Sequence, residues 1–189
     1  MANFSINSIE ANNVYQAETI NIDSERKEKE FPNKQFYQLV GEFQFGEDDL
    51  KVLNKTGLSF MQVDSKEKFL FLINEEIIKK DKQLYLHFSG HSTVNRLIFT
   101  EELLTLEEIE TLPQNCFEIV LLASCESYQI VESFKGIAKH CIGFLNVIET
   151  EEATKLTEIF WTQIQSKEFE EVIENLKRSS KLGKFIYAT

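Results

Sequence analysis

The sequence predicts a parallel α/β domain whose central sheet is covered by helices on both faces. Three observations carry this expectation. From residue 58 onward, short apolar runs alternate with amphipathic segments of helical period. Two of the runs, Leu84–Phe88 and Phe117–Leu122, are apolar on both parities, as strands buried on both faces are. Each also stops at a polar tip, Ser89-Gly90-His91-Ser92 in one case and Ser124-Cys125-Glu126-Ser127 in the other. Parallel sheets present functional groups at the carboxyl ends of their strands, which is where both tips fall.

In chain order, residues 1–30 read as an N-terminal extension and 31–189 as the domain. Phe4 to Ile9 and Val14 to Ile22 alternate apolar with polar around a turn at Ala11-Asn12-Asn13, the pattern of a β-hairpin. Asp23 to Glu30 is a charged linker. Phe36 to Phe45 fits a strand or a short amphipathic helix equally. Asp48 to Lys55 is helical, with Gly57 placed to cap it. Leu58 to Val63 is a strand. Ser65 caps a helix through Lys79 that buries Phe69, Leu72, Ile73 and Ile77.

Leu84 to Phe88 and Leu97 to Phe99 follow as strands. Thr105 opens a short helix, Leu106 to Thr111, that Pro113 stops. After the strand Phe117 to Leu122, a helix is expected from Tyr128 to Lys139. A further strand covers Cys141 to Val147. Thr150 caps a helix to Gln165 with Leu156, Ile159, Phe160 and Ile164 on one face, and a last helix spans Glu168 to Leu182 before Gly183.

Composition narrows the function. The 189 residues, 42% of them hydrophobic and 16 of them Phe, suffice for a substantial core. The net charge of −11 argues against direct nucleic-acid binding. No apolar run nears the roughly 20 residues of a membrane span. The start lacks the basic-then-apolar pattern of a signal peptide, so a cytoplasmic setting is expected. Cys116, Cys125 and Cys141 show no CxxC spacing, which disfavours a disulfide framework or a zinc knuckle. A His87/His91 metal pair is unattractive, because its four-residue spacing serves a helix and this segment reads as strand and loop. No metal or cofactor is expected.

If the two tipped strands are neighbours, His91 and Cys125 share one crevice as base and nucleophile. The attacking species is the thiolate. The helix after Cys125 is expected to direct its positive end at the turn. The amides of Gly90 and Cys125 are the natural oxyanion donors.

The pair LHFSGHS and LLASCES resembles the HFSGHG and NACES-type motifs of CHAT-domain proteases, members of the caspase-like superfamily. Ile142-Gly143-Phe144 and the segment Glu149 to Trp161 resemble that family's next strand, loop and helix, so the likeness covers roughly residues 58–165. The resemblance implies a caspase-like three-layer α/β/α sandwich with a mainly parallel central sheet. It gives His91 the catalytic histidine position, Cys125 the nucleophile position and Gly90 the oxyanion position. Ser92 stands where the family usually has glycine. Ala123 stands where metacaspase-like relatives carry the acid that selects basic substrates, so that preference does not transfer.

The resemblance implies a cysteine endopeptidase acting on a protein substrate. It further implies a bacterial effector of defence or programmed death, controlled by a regulatory or sensor protein. Two other readings are an inactive caspase-like domain used as a binding or scaffold module, and an α/β small-molecule binder of another class.

Ser92, Glu126, Asn146 and Glu149 are candidates for the substrate cleft. The loops Ser92 to Arg96 and Val147 to Thr150 carry few apolar anchors and are expected to need ordering by a partner. His87 is expected to pack on a sheet face with a structural hydrogen bond, and His140 to act as a cation at a helix end. Cys116 and Cys141 should be inert packing residues at strand beginnings. Ser127 is expected to cap the next helix, and Trp161 to lie in the core.

Overall fold

The computed structural model describes residues 34–41, 43–78, 83–99, 102–179, 183 and 186–189. The chain divides into two units, Met1–Pro32 and Asn33–Thr189. The hairpin and linker expected over residues 1–30 lie outside the described residues, as do the side chain of Ile77 and positions 180–182 of the expected last helix.

The ambiguous stretch near Phe36 is two elements, strand β1 (Lys34–Val40) and helix α1 (Phe43–Lys55). Tyr37 and Leu39 of β1 enter one core, while Phe36 packs on the other. Buried Gln38 is fully used. Its amide donates to the Gly46 carbonyl at 2.9 Å and to Ser89 Oγ at 3.0 Å, and its oxygen accepts from Gln62 at 3.0 Å. Those bonds fix the start of α1 against β1 and its neighbour. Helix α1 ends where Gly57 adopts φ +78, the left-handed turn that glycine takes without strain.

Strand β2 (Phe60–Val63) leads into helix α2 (Lys66–Ile78), whose start Ser65 caps by accepting from the Lys68 amide at 3.3 Å. Strand β3 (Gln83–Ser89) carries the first tip. From that tip the chain enters a small antiparallel sheet of β4 (Ser92–Thr93), β5 (Arg96–Ile98) and β6 (Leu103–Thr105). The stretch expected to be an unanchored loop is therefore a hairpin. Leu97 and Leu104, both fully buried, hold it to the core.

Thr105 caps helix α3 (Leu106–Glu110) in a complete capping box with Glu108, as its sequence predicts. Strand β7 (Phe117–Ala123) carries the second tip. Helix α4 spans only Tyr128–Ser133, far short of Lys139, because Gly136 turns the chain at φ +80 and strand β8 begins at Ala138. Strand β8 (Ala138–Phe144) leads to helix α5 (Thr150–Gln163), helix α6 (Phe169–Ser179) and strand β9 (Ile186–Ala188), which the sequence reading missed.

The main sheet has the order β2-β1-β3-β7-β8-β9. All neighbours run parallel except β9, which is antiparallel to β8. The architecture is mixed α/β with a mainly parallel six-stranded central sheet. Alternate strand residues feed two cores. One takes Leu86, Phe88, Val120 and Leu122 with Phe69 of α2 and Ile130 of α4. The other takes Tyr85, Ile119 and Leu121 with Leu53 of α1, Trp161 of α5 and Val172 of α6. Among the described residues, no helix is long and apolar enough to cross a membrane.

Candidate active site

Strands β3 and β7 are parallel neighbours near the middle of the sheet, with Ser89 level with Ala123. His91 and Cys125 each follow two residues later, so the two tips leave the sheet side by side. Both line one cleft, together with Gly90, Ala123 and Ser124 of the tips. The lining is completed by Asp49 of α1, Ile148, and Thr150, Ala153 and Thr154 at the start of α5. His91 is exposed and Cys125 half-buried.

The two tips are locked to each other and to the frame. Ser92 Oγ donates to the Cys125 carbonyl, and Ile98 N–H donates to the His91 carbonyl at 3.0 Å. The Cys125 thiol itself sits against main chain. Its sulfur accepts from Ile148 N–H at 3.4 Å and donates to the Ile148 carbonyl at 3.7 Å. The amide contact survives loss of the thiol proton, whereas the carbonyl contact does not. Ile148, in the loop Val147–Thr150, is thus held by the Cys125 thiol.

Gly90 has a packing reason to be glycine. A Cβ there would lie 2.9 Å from the Gly41 Cα and 3.1 Å from Phe88 Cζ. A Cβ on Gly41 would meet the Ile98 carbonyl at 2.4 Å, and Gly41 N–H donates to the Ser89 carbonyl at 2.8 Å. The end of β1 therefore presses directly on the histidine tip.

Behind Cys125, Glu126 takes φ +49, an unfavourable value for a non-glycine residue. Two sets of bonds hold it there. Glu126 N–H donates to the Asn146 carbonyl at 3.2 Å. Ser127 Oγ, fully buried, donates to the Ser124 carbonyl and accepts from Phe144 N–H, both at 3.0 Å. Ser127 is thus a clamp from the cysteine turn to β8, and it makes no side-chain cap of α4. Gly143 leaves room for it, since a Cβ there would lie 2.5 Å from Ser127 Oγ. Ser127→Ala is expected to cost about 1–3 kcal/mol in urea unfolding, because it leaves a buried Phe144 N–H without its acceptor.

The other cleft candidates fall outside the lining. Ser92 joins the two tips, Glu126 and Asn146 are exposed and meet through main chain, and Glu149 is the exposed residue before α5. Glu149, not Thr150, occupies the N-cap position. Ile148 and Thr150 belong to the Val147–Thr150 loop that was expected to line the site, whereas sequence reasoning missed Asp49, Ala153 and Thr154. Thr150 and Thr154 stand one helical turn apart, a detectable signal. Asp49 carried none until β1 was placed beside β3.

Two further expectations are corrected. Helix α4 has only six residues and starts three after Cys125, so a helix dipole aimed at the thiol has little basis. His140 lies inside β8, not at a helix end, and its ring stacks on Phe169 with centroids 4.0 Å apart. Burial there lowers its pKa and favours the neutral imidazole.

His87 is fully buried and wired into the floor beneath the cleft. Its Nε2 lies 2.9 Å from Asp49 Oδ2, and Trp161 Nε1–H donates to its Nδ1 at 3.3 Å. An indole N–H only donates, so Nδ1 carries the lone pair and Nε2 the proton. His87 is therefore the neutral Nε2–H tautomer, donating to the Asp49 carboxylate.

Of the other cysteines, Cys116 stands just before β7 and Cys141 lies mid-strand in β8 rather than at its beginning. Burial pushes the Cys116 thiol up to about 12 and raises that of Cys141 strongly. Thiol alkylation requires the thiolate. Iodoacetamide at pH 7 is accordingly expected to modify Cys125 first in the folded protein, with Cys116 and Cys141 modified only after unfolding. Peptide mapping by mass spectrometry reads the order, and equal labelling of all three would overturn it.

No protein-family model matches the chain, and no curated protein is similar to it in sequence.

Proposed function

We propose that this chain is a cysteine endopeptidase with a caspase-like three-layer α/β/α sandwich. The observation that supports it is the register of β3 and β7, which delivers His91 and Cys125 to one cleft. In this reading His91 takes the thiol proton and the Cys125 sulfur attacks the scissile carbonyl. The Gly90 and Cys125 amides receive the oxyanion, and His91 protonates the departing amine. Water then hydrolyses the thioester. This chemistry needs no cofactor.

The setting proposed with it is the cytoplasm of a bacterium, where the enzyme cleaves a protein substrate in a defence or cell-death system. A regulatory or sensor protein controls it. The contact of the thiol with Ile148 suits such control, because the loop must yield before a substrate carbonyl reaches the sulfur.

That same contact favours the second reading, a caspase-like scaffold that does not cleave, since it gives the thiol main-chain partners of its own. Cleavage-site profiling of a proteome with wild type and Cys125→Ala, each with and without proteins encoded beside it, separates the two. New termini that require Cys125 support the protease. Their absence under every condition leaves the scaffold.

A further inference from the structure

Away from the cleft, the main sheet ends in an open edge. Strand β2 is the last strand on that side, with β1 as its neighbour and no described strand beyond it. An edge strand presents a row of unpaired N–H and C=O groups, which proteins usually guard with charges or proline. Phe60-Met61-Gln62-Val63 has neither, and Met61 is 47% exposed.

Helix α2 turns a second apolar feature outward beside this edge. Phe71 is 63% exposed. With Glu67, Lys68 and Leu72 of the same helix face, and Gln62 and Val63 of β2, it lines a recess of about 500 Å³. Aromatic side chains and methionine are the residue types that protein interfaces favour.

An occupant of this surface must continue the β2 ladder and also cover the outward face of α2. A lone extended peptide does only the first. A second copy of the chain, placed by a two-fold axis normal to the sheet, does both. Antiparallel pairing of β2 with its own copy keeps the two α2 helices side by side on one face of the joined sheet. Charge points the same way. With a net charge of −11, two copies repel each other through most of their surfaces. Residues 60–72 are locally neutral, with Asp64 and Glu67 against Lys66 and Lys68. Lys66 pairs with Glu108 and Lys68 with Asp64, whereas Glu67 has no ion pair among the described residues and is open to a lysine of the other copy.

We propose that this surface joins two copies of the chain, with β2 antiparallel to β2 and Phe71 of each α2 packed into the recess of the other copy. The central sheet then runs on through both copies. Their strands point in opposite directions, so the two clefts open at opposite ends of the joined sheet and stay clear of the contact. Neither His91 nor Cys125 takes part, and the dimer stands or falls separately from the proposed chemistry.

The test is analytical ultracentrifugation of the full chain from about 1 to about 300 μM, with amide hydrogen exchange read at both ends of the range. One short strand pair and one aromatic contact make a small interface, so a dissociation constant on the order of 10 μM is expected. The mass should climb from 22.0 kDa toward twice that value. Amides of residues 60–63 should exchange at least about fivefold more slowly in the concentrated sample. Phe71→Glu sets like charges against each other in the contact, and Met61→Lys charges the edge. Both side chains are exposed, so each variant should stay monomeric with the melting temperature and Cys125 alkylation rate of dilute wild type.

A monomer at every concentration would overturn the inference. A dimer that both variants leave intact would do the same, assigning the contact to another face such as the opposite edge at β9. Slow exchange of residues 60–63 already present in the dilute monomer would show that the chain covers its own edge, and would also overturn it. The exchange measurement is made on the wild type, so the outcome does not depend on how the variants fold.

Discussion

Replacing Cys125 by alanine is expected to remove peptide cleavage by at least about a thousandfold while leaving the protein folded. In the proposed mechanism the sulfur is the one protein atom that bonds to the substrate's carbonyl carbon, so no neighbour can substitute for it. The stability cost should be on the order of 1 kcal/mol, since the side chain is small and half-buried and its hydrogen bonds go to one residue, Ile148. His91→Ala should give a comparable loss of activity at an even smaller cost, because the imidazole is exposed. Rates on a cleaved peptide and melting temperatures measured together decide the matter. Wild-type turnover in either variant would refute the mechanism, and a melting temperature far below wild type would assign Cys125 to structure.

The largest effect on stability is expected at Trp161. Its indole is fully buried, edge-on to Phe60 with centroids 5.3 Å apart, and its N–H fixes the tautomer of His87. Trp161→Ala removes that volume from the core and strips His87 Nδ1 of its donor. A loss of about 3–5 kcal/mol is expected, a large share of what a domain of this size possesses. Trp161→Phe refills most of the space but not the hydrogen bond, so its loss should be nearer 1–3 kcal/mol. Urea midpoints for the two variants test the ordering. If phenylalanine costs as much as alanine, the N–H and not the packing dominates.

The central sheet was legible because its inner strands are apolar on both faces, and Leu84 to Phe88 and Phe117 to Leu122 need no partner to declare that. The pairing of His91 with Cys125 in one cleft was legible for the same reason, since both lie at strand ends of equal length. Local chemistry also read true at Ser65, Gly57 and Thr105, where a cap depends on neighbours in sequence. What failed depended on distant contacts. Strand β1 carries Lys34, Gln35 and Gln38, and only the bonds of Gln38 to Gly46 and Ser89 explain a polar residue in a buried strand. Ser127 looks like an N-cap until Phe144 is found opposite it. Asp49 is one acid among many in an acidic chain, and only the folded positions of His87 and Thr154 single it out.

The close approach of Gly41 and Gly90 has a bearing on how this site can change over generations. A methyl group at 90 claims the volume of the Gly41 main chain and the Phe88 ring, and one at 41 that of the Ile98 carbonyl and the same ring. The two positions are therefore coupled under mutation: a larger residue at 90 is viable only after the main chain at 41 has moved away, and residues at both positions compete for the space beside the Phe88 ring. Substitutions that shift the amide of residue 90 must arrive in combination with changes in a strand that bears no reactive group. Drift of this tip is consequently gated by β1, and pairs of changes spanning residues 41 and 90 should depart strongly from additivity where single changes elsewhere on the tip do not.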